Sequence, residues 1–329
     1  MKIVTIKQVA AECGCSAAVT SAVLSGRKGG AVRFSESTAR RVREVAGRLG
    51  YRPNRQARNF VNKRHGVIDF ICETVFSYDP YFLRGLLNAA QAGGGYSVHI
   101  EERLGAGKRL PRCLGEDCTD GVILLSSIEE SLSRQLDALS LPVVHINGNR
   151  RHLPGCITFD EEGAMWELAK VVQAAGSHRV YSLLWKDHYS TAARMEALEK
   201  ASAQLGLQPP VFDTWKTFIP EEQVAAFHAA LTSSDVKVDS VLVHEAQIEH
   251  LYRACREAGR QPMRDLHVAC LQPGTAARSV WPGPDSLHMP QESLAQLGFS
   301  TLQKMMNGEN PAAQVVPYRY QTSTEHTPA

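Results

Sequence analysis

The chain has 329 residues, a formal net charge of +2 and eight cysteines. This length exceeds what one hydrophobic core comfortably holds, so two or three domains are expected. No apolar run reaches the roughly eighteen residues of a membrane span, and the cysteines lack the paired C-x-x-C spacing of a zinc site. The opening residues are not followed by a secretion-signal cleavage site. We therefore expect a cytoplasmic protein with reduced thiols, and we exclude membrane and zinc-finger classes.

The small net charge conceals a strong asymmetry along the chain. Residues 1–65 contain 14 of the 36 lysines and arginines but only three acidic residues, which gives this segment a net charge of +11. The remainder of the chain has a net charge of −9. A basic head on an acidic body indicates a nucleic-acid contact confined to one end of the molecule.

The head is predicted to contain three short helices. Thr5 and Gln8 form the pattern of a capping box at the start of the first helix, which ends at Gly14. Ser16 is placed to cap a second helix almost at once, and Ser35 to cap a third. A short glycine-containing join between two helices is typical of a helix-turn-helix.

A hinge helix is predicted at 53–64, where Asn54 can cap a segment too short to be stable alone in water. The segment carries Arg55, Arg58, Lys63 and Arg64 beside one large apolar ring, Phe60, which it cannot bury by itself. The minor groove of DNA would neutralise the arginines and offer an apolar slot, so the helix would form on binding. The alternative is an ordinary charged linker whose Phe60 rests on the next domain.

The rest of the chain alternates between strand patterns and helix patterns. Strands are predicted at Val67–Ile71, Tyr96–Ile100, Gly121–Leu125, Val143–Ile146, Val180–Leu184, Ser240–Val243 and Leu266–Leu271. Helices are predicted at Tyr81–Ala92, Glu129–Leu139, Glu161–Ala175, Thr191–Leu205, Glu221–Leu231 and Glu245–Ala258. Such alternation predicts parallel sheets covered by helices, in two similar halves. The natural ligand site of this architecture is the cleft between the halves.

These patterns give a domain plan for the whole chain. The expected units are a helix-turn-helix head at 1–52, a hinge helix at 53–64 and a body at 65–329. Within the body we expect an N-lobe at about 65–158 plus 288–315 and a C-lobe at about 159–287 plus 316–329.

The head resembles a known family. TIKQVAAECGCSAAVTSAVLSG, SESTARRVREVAGRLGYRPN and RQARNF follow one another as in the N-terminus of the lactose/galactose-repressor family of bacterial transcription regulators. LPVVHIN and the final MP-x-x-x-LAQLGFSTLQKMMNG are similar to the effector-binding body of the same family. The resemblance implies an all-α helix-turn-helix head, a hinge helix and an α/β body of two Rossmann-like, parallel-sheet lobes. It also implies a homodimer that binds a near-palindromic double-stranded DNA operator.

The resemblance assigns DNA contacts by position. It implies base contacts from Ala17, Ala18 and Ala22, phosphate contacts from Thr5, Ser16, Ser21 and Asn54, and a minor-groove wedge from Phe60, beside Arg55 and Arg58. Alanine can touch a thymine methyl group but cannot donate or accept a hydrogen bond. We therefore hypothesise that specificity depends more on the hinge, the loop after the second helix and DNA deformability than on hydrogen bonds from the second helix.

The resemblance also implies an effector site, typically for a sugar or nucleobase. The candidate contacts are Tyr81, Phe82, Asn147, Asp160, Trp185, Arg194, Glu245 and Gln272. Three of these have structural alternatives, because Phe82 fits a core position, Arg194 a surface ion pair and Asp160 a helix cap. Glu245 and Gln272 stand where the family usually has aspartate, which departs from the pattern of a sugar site.

Enzyme motifs are weak or absent. His244–Glu245 followed by His250 imitates a zinc-protease motif, but a spacing of six residues turns the two rings to different sides of a helix. Neither a G-x-S-x-G nucleophile motif nor a phosphate-binding loop occurs. We expect no catalytic residue, metal or cofactor. We predict a ligand-responsive transcription regulator that acts as a repressor. The alternative is a small-molecule-binding protein whose DNA-binding head is vestigial.

Overall fold

A computed structural model describes residues 4–25, 32–54, 64–72, 80–102, 112–125, 130–148, 150, 152–186, 189–215 and 219–323. The chain forms two compact units, Met1–His65 and Gly66–Ala329. The predicted hinge helix lies almost entirely outside the described residues.

The head contains the three predicted helices, α1 (Ile6–Cys13), α2 (Ala17–Ser25) and α3 (Glu36–Arg48). The capping box is confirmed, because the Gln8 N–H donates to Thr5 Oγ1 at 3.4 Å and the Thr5 N–H donates to Gln8 Oε1 at 2.8 Å. The predicted caps of α2 and α3 are confirmed as well. Ser16 Oγ accepts from the Val19 N–H at 3.2 Å, and Ser35 Oγ accepts from the Thr38 N–H at 3.2 Å.

One small core holds the head together. Its members are buried apolar side chains from all three helices: Val9, Cys13, Val23, Ala39, Val42, Val45 and Ala46. Gly14 ends α1 in the left-handed conformation, with φ of 63°, and so allows α2 to begin three residues later. The sharp turn fixes the packing of α2 against α1 and leaves the opposite face of α2 open to solvent.

The body is built on two six-stranded sheets. The strands of the N-lobe sheet are β1 (Val67–Cys72), β2 (Ser97–Glu102), β3 (Gly121–Leu125), β4 (Val143–Ile146), β5 (Cys156–Phe159) and β11 (Gln314–Val316). Their order is β11-β5-β4-β3-β1-β2 and every pairing is parallel. The predicted apolar runs correspond to β1 to β4, and three of these strands are almost wholly buried, as expected for parallel strands covered on both faces.

The C-lobe sheet repeats the arrangement. Its strands are β6 (Val180–Trp185), β7 (Val211–Trp215), β8 (Ser240–His244), β9 (His267–Leu271), β10 (Asp285–His288) and β12 (Arg319–Gln321). Their order is β12-β10-β9-β8-β6-β7, and only β12 runs antiparallel to its neighbour. The chain therefore passes between the lobes three times, after β5, after β10 and after β11.

Helices cover both faces of each sheet. They are α4 (Pro80–Ala92), α5 (Arg112–Gly115), α6 (Glu130–Ala138), α7 (Glu161–Ala174), α8 (Tyr189–Gln204), α9 (Pro220–Thr232), α10 (Ile248–Glu257), α11 (Thr275–Ser279) and α12 (Gln291–Met306). The predicted helix from Glu245 differs, because its first turn is a 3₁₀ segment, Glu245–Gln247, before α10 begins. Among the described helices, none has the length and apolarity to cross a bilayer.

Candidate functional site

The exposed face of α2 carries the residues expected to meet DNA. Ala17, Ala18 and Ser21 are exposed and Ala22 is half-buried. Thr20, on the opposite side, is fully buried. Its hydroxyl donates to the Ser16 carbonyl at 3.0 Å. The outward face of α2 is therefore made of small side chains that allow close approach of another surface.

The flanking groups expected at phosphates are also accessible. Thr5, Ser16 and Asn54 are all exposed, and Thr5 and Ser16 lie at the N-termini of α1 and α2. Helix N-termini present backbone N–H groups and a partial positive charge, which favours phosphate binding. The remaining predicted contacts, Arg55, Arg58 and Phe60, lie outside the described residues.

The prediction that Phe82 contacts an effector is corrected by its burial. The ring has no solvent exposure and packs 5.4 Å from the ring of Phe70 in the N-lobe core. Its neighbour Tyr81 is 40% exposed. The helical pattern places Phe82 on the inner face of α4, so Tyr81 is the aromatic residue available to a ligand.

Arg194 is held inside the C-lobe by an ion pair. Its Nε donates to Glu161 Oε2 at 2.7 Å and its Nη2 donates to Glu161 Oε1 at 2.9 Å. The Tyr318 hydroxyl lies 3.3 Å from both side chains. Burial alone would lower the pKa of Arg194, but the Glu161 charge and the hydrogen bonds raise it, so the guanidinium stays charged. Arg194 does form the ion pair of the alternative interpretation, but this pair is buried and not at the surface as expected.

His244 ends β8 close to this pair. Burial, with the nearby charge of Arg194, lowers the pKa of His244 to about 4, so the imidazole is neutral at physiological pH. Its Nδ1 accepts a 3.4 Å hydrogen bond from the Ala246 N–H at the start of the following turn. His244 therefore serves as a cap there, and the geometry gives no support to a zinc-protease motif.

Two other expected ligand contacts are engaged as helix caps. Asp160 Oδ1 accepts from the Gly163 N–H at 2.9 Å at the start of α7. Glu245 accepts from the N–H groups of Ala276 and Ala277, at 2.6 and 3.2 Å, at the start of α11. Both carboxylates therefore stabilise local structure in the C-lobe.

Asn147 and Gln272 occupy equivalent places in the two lobes. Each follows a central strand, β4 or β9, and each adopts a left-handed conformation, with φ of 52° and 53°. The Asn147 N–H donates to the Ile157 carbonyl at 2.8 Å, and the Gln272 N–H donates to the Leu287 carbonyl at 2.9 Å. Both residues therefore lie at the carboxyl edge of a parallel sheet, where ligands of such folds bind.

Two tryptophans lie at the same edge of the C-lobe sheet. Trp185 ends β6 and is 41% exposed, and its ring centroid lies 4.4 Å from that of Trp215 at the end of β7, nearly edge-to-face. Trp185 is therefore partly exposed at the carboxyl end of its strand.

A cavity of about 980 Å³ lies between the two lobes. The N-lobe contributes Tyr81, Arg84 and the first turn of α12, while the C-lobe contributes residues 272–284. Of the predicted effector contacts, the cavity brings together Tyr81 and Gln272. The other six, Phe82, Asn147, Asp160, Trp185, Arg194 and Glu245, are not among its lining residues.

Sequence reasoning missed Arg278, Trp281 and Gln291, which also line this cavity. Trp281 is 90% exposed, and the guanidinium carbon of Arg278 lies 5.6 Å from the centroid of the Tyr81 ring. The sequence signal in this region was the Pro-rich run WPGP at 281–284. Such a run is incompatible with a regular helix or strand and predicts a loop. Among the described residues, no group of three or more His, Cys, Asp or Glu side chains is placed to hold a metal ion.

Comparisons with known proteins agree with this architecture. No protein-family model matches the chain. Catabolite control protein A of Staphylococcus xylosus is 26% identical over 318 residues, covering 93% of this chain and 94% of the relative. The protein of the same name from Staphylococcus epidermidis is 26% identical over 327 residues, covering 96% and 97%.

Solved structures match over nearly the full length. The Lac repressor bound to ONPG in the repressed state superposes with a TM-score of 0.81 at 18% identity, covering 98% of this chain and 100% of that one. The Lac repressor dimer bound to operator and the anti-inducer ONPF gives 0.80 at 19% identity, covering 98% and 99%. The transcriptional regulator CelR with cellobiose gives 0.68 at 20% identity, covering 97% and 98%. Over nearly its full length the chain is therefore similar to catabolite control protein A, and it has the fold of the Lac repressor and CelR structures.

Proposed function

We propose that the chain is a cytoplasmic, homodimeric repressor whose affinity for a near-palindromic operator changes when a small molecule binds between the lobes of its body. The observation that carries the proposal is the exposed face of α2, which consists of small side chains on a unit of net charge +11. A sugar-related effector is supported by the sugar ligand of CelR and by the ONPG ligand of the Lac repressor.

The proposed mechanism couples the body to the head through the hinge. A ligand that binds one arrangement of the lobes better than the other shifts the population toward that arrangement. In the dimer, the two hinges would then move apart or together. Hinge segments that are too far apart to meet would lose their contacts with the minor groove of DNA. Operator affinity would change without any ligand contact to the head.

One observation favours a second candidate function. The residues expected to read bases are Ala17, Ala18 and Ala22, which have no hydrogen-bonding side chain. A small-molecule-binding protein with a vestigial head would have no use for base contacts, and this alternative fits the same residues.

A gel-shift titration separates the two candidates. The full-length protein is mixed with DNA from upstream of its own gene and with a shuffled duplex of the same composition. The repressor proposal predicts a shift of the upstream DNA that survives excess shuffled competitor and weakens steeply with salt. Equal binding to both duplexes at every salt concentration, or no binding, would support the vestigial head.

A further inference from the structure

We propose that the interlobe cavity binds a sugar acid, meaning a small hydroxylated molecule with one carboxylate, and that Arg278 holds the carboxylate. The inference rests on the proposed function of the body as an effector-binding unit and specifies the chemical class of its ligand. At about 980 Å³, the cavity is large enough for a mono- or disaccharide acid.

The charged side chains predicted to contact an effector already have partners inside the protein. Arg194 is bidentate to Glu161, Glu245 accepts two backbone N–H groups, and Asp160 accepts one. Recruiting any of them for a ligand would break a charge-assisted contact in the C-lobe, which is costly in a buried environment. A ligand therefore finds its ionic partner elsewhere.

The described lining of the cavity has an excess of positive charge. Among the described residues, its acidic and basic lining groups are Arg84, Arg278 and Glu292, besides His288. Arg84 is paired with Glu292, with its Nε 2.6 Å from Glu292 Oε1. Arg278 forms no ion pair with any described residue, so the described part of the lining carries one guanidinium without a counter-charge.

Both arginines lie against the same tyrosine ring. The guanidinium carbons of Arg84 and Arg278 are 4.6 and 5.6 Å from the centroid of the same Tyr81 ring. A carboxylate bound beside this ring could accept two parallel hydrogen bonds from Arg278. Because Arg84 and Tyr81 are in the N-lobe and Arg278 is in the C-lobe, the anion would also join the lobes.

The remaining lining groups suit the uncharged part of a sugar acid. The uncharged polar lining consists of amides and hydroxyls from both lobes: Gln272, Gln291, Ser293, Gln321 and Ser323. The amides both donate and accept hydrogen bonds, as a hydroxyl-rich ligand requires. Tyr81 and the exposed Trp281 add flat aromatic surfaces of the kind that pack against sugar rings. A body rich in hydroxyl groups fits this lining better than a purely apolar one.

The start of α12 adds a smaller contribution of the same sign. Gln291, Glu292 and Ser293 form its first turn and line the cavity, and no side chain caps this 16-residue helix. Its N-terminal N–H groups favour an anion at this end of the cavity.

The test is a calorimetric titration of the full-length protein with D-glucuronate and D-gluconate, and with D-glucose as the neutral counterpart. The variants are Arg278→Gln, Glu292→Gln and Arg256→Gln, the last changing an exposed arginine of α10 that does not line the cavity. At least one acid should bind the wild type more tightly than glucose does. Arg278→Gln should weaken that acid about tenfold or more, Glu292→Gln should tighten it, and Arg256→Gln should leave it unchanged.

Three results would overturn the proposal: glucose binding as tightly as the better acid, Arg278→Gln leaving the acid affinity unchanged, or neither acid binding. Thermal unfolding of each variant without ligand shows whether the fold is intact. Because the titration contains no DNA, its failure leaves operator binding standing, and a failure to bind DNA leaves the titration standing.

Discussion

Arg194 and Glu161 form a bidentate ion pair, with Nε–Oε2 and Nη2–Oε1 distances of 2.7 and 2.9 Å. Glu161 lies immediately after the first crossing of the chain between the lobes. Tyr318, in the third crossing, contacts both members through its hydroxyl, and its ring lies 5.9 Å from that of Phe159. Two of the three interlobe crossings are thereby tied to one buried charge pair.

Breaking this pair should destabilise the body strongly. Glu161→Gln leaves the Arg194 guanidinium buried without a counter-charge, which costs about 3 kcal/mol in comparable pairs. Urea unfolding of the full-length protein measures the loss. Glu162→Gln is the matched control, since Glu162 is the next residue of α7 and forms an exposed pair with Lys200. The control should leave the unfolding midpoint unchanged, and an equal effect of the two substitutions would contradict the assignment.

Replacing both members of the pair should restore much of the lost stability. A Glu161→Leu, Arg194→Met double variant removes both charges and keeps apolar volume in the C-lobe. If the double variant is as unstable as Glu161→Gln, the destabilisation comes from repacking and not from the orphaned guanidinium.

The depressed pKa of His244 makes the body sensitive to mild acid. The folded-state pKa of about 4 lies below the ordinary value of 6.5, so the unfolded chain binds more protons between these pH values. The His244 contribution to the free energy of unfolding is therefore complete above about pH 6.5 and is lost as the pH falls toward 4.

The expected size of this effect is on the order of 1 kcal/mol between pH 7 and pH 5. His244→Asn removes the titrating ring but keeps a side chain that can accept the Ala246 N–H. Wild type should therefore lose more stability than His244→Asn over this range in parallel urea titrations. Identical losses would show that His244 titrates normally. The other histidines are common to both proteins and cancel in the comparison.

The contact between α4 and α12 depends on a glycine. A Cβ added at Gly85 would lie 2.8 Å from Glu292 Cα and 2.9 Å from the Glu292 carbonyl oxygen, both backbone atoms of α12. Gly85→Ala must push the two helices apart, and we expect a loss of about 1–3 kcal/mol. Ser300→Ala, at an exposed position of α12, is the control and should change little. A stable Gly85→Ala protein in thermal unfolding would mean that the helices are not packed this closely.

The head could be predicted closely because its signals are local. Thr5, Gln8, Ser16 and Ser35 act within one helical turn of their own positions, and each makes the predicted capping bond. Most of the buried parallel strands were visible as continuous apolar runs, but the buried strands β5 (Cys156–Phe159) and β10 (Asp285–His288) mix polar with apolar residues and were not predicted. By contrast, the edge strand Val211–Trp215 is half-exposed and mixes polar with apolar residues, so its pattern did not distinguish it from a loop.

The ligand site was harder because its determinants are far apart in the chain. Arg194 and its partner Glu161 are separated by 33 residues, and no periodicity reveals that the guanidinium is already engaged. Tyr81 and Phe82 are adjacent in sequence, yet helix geometry turns one to solvent and the other to the core. Arg278 meets Tyr81 only because the two lobes face each other.

The most direct test of the central claim places a negative charge on the outward face of α2. Fluorescence anisotropy measures binding of the full-length protein to its upstream DNA over a range of salt concentrations, with Ala18→Glu compared with Ala11→Glu, the same change at an exposed alanine of α1. DNA binding through α2 predicts that Ala18→Glu weakens operator affinity about tenfold or more, while Ala11→Glu and wild type bind tightly and lose affinity steeply with salt. Equal affinity of wild type and Ala18→Glu for the same operator would contradict the account.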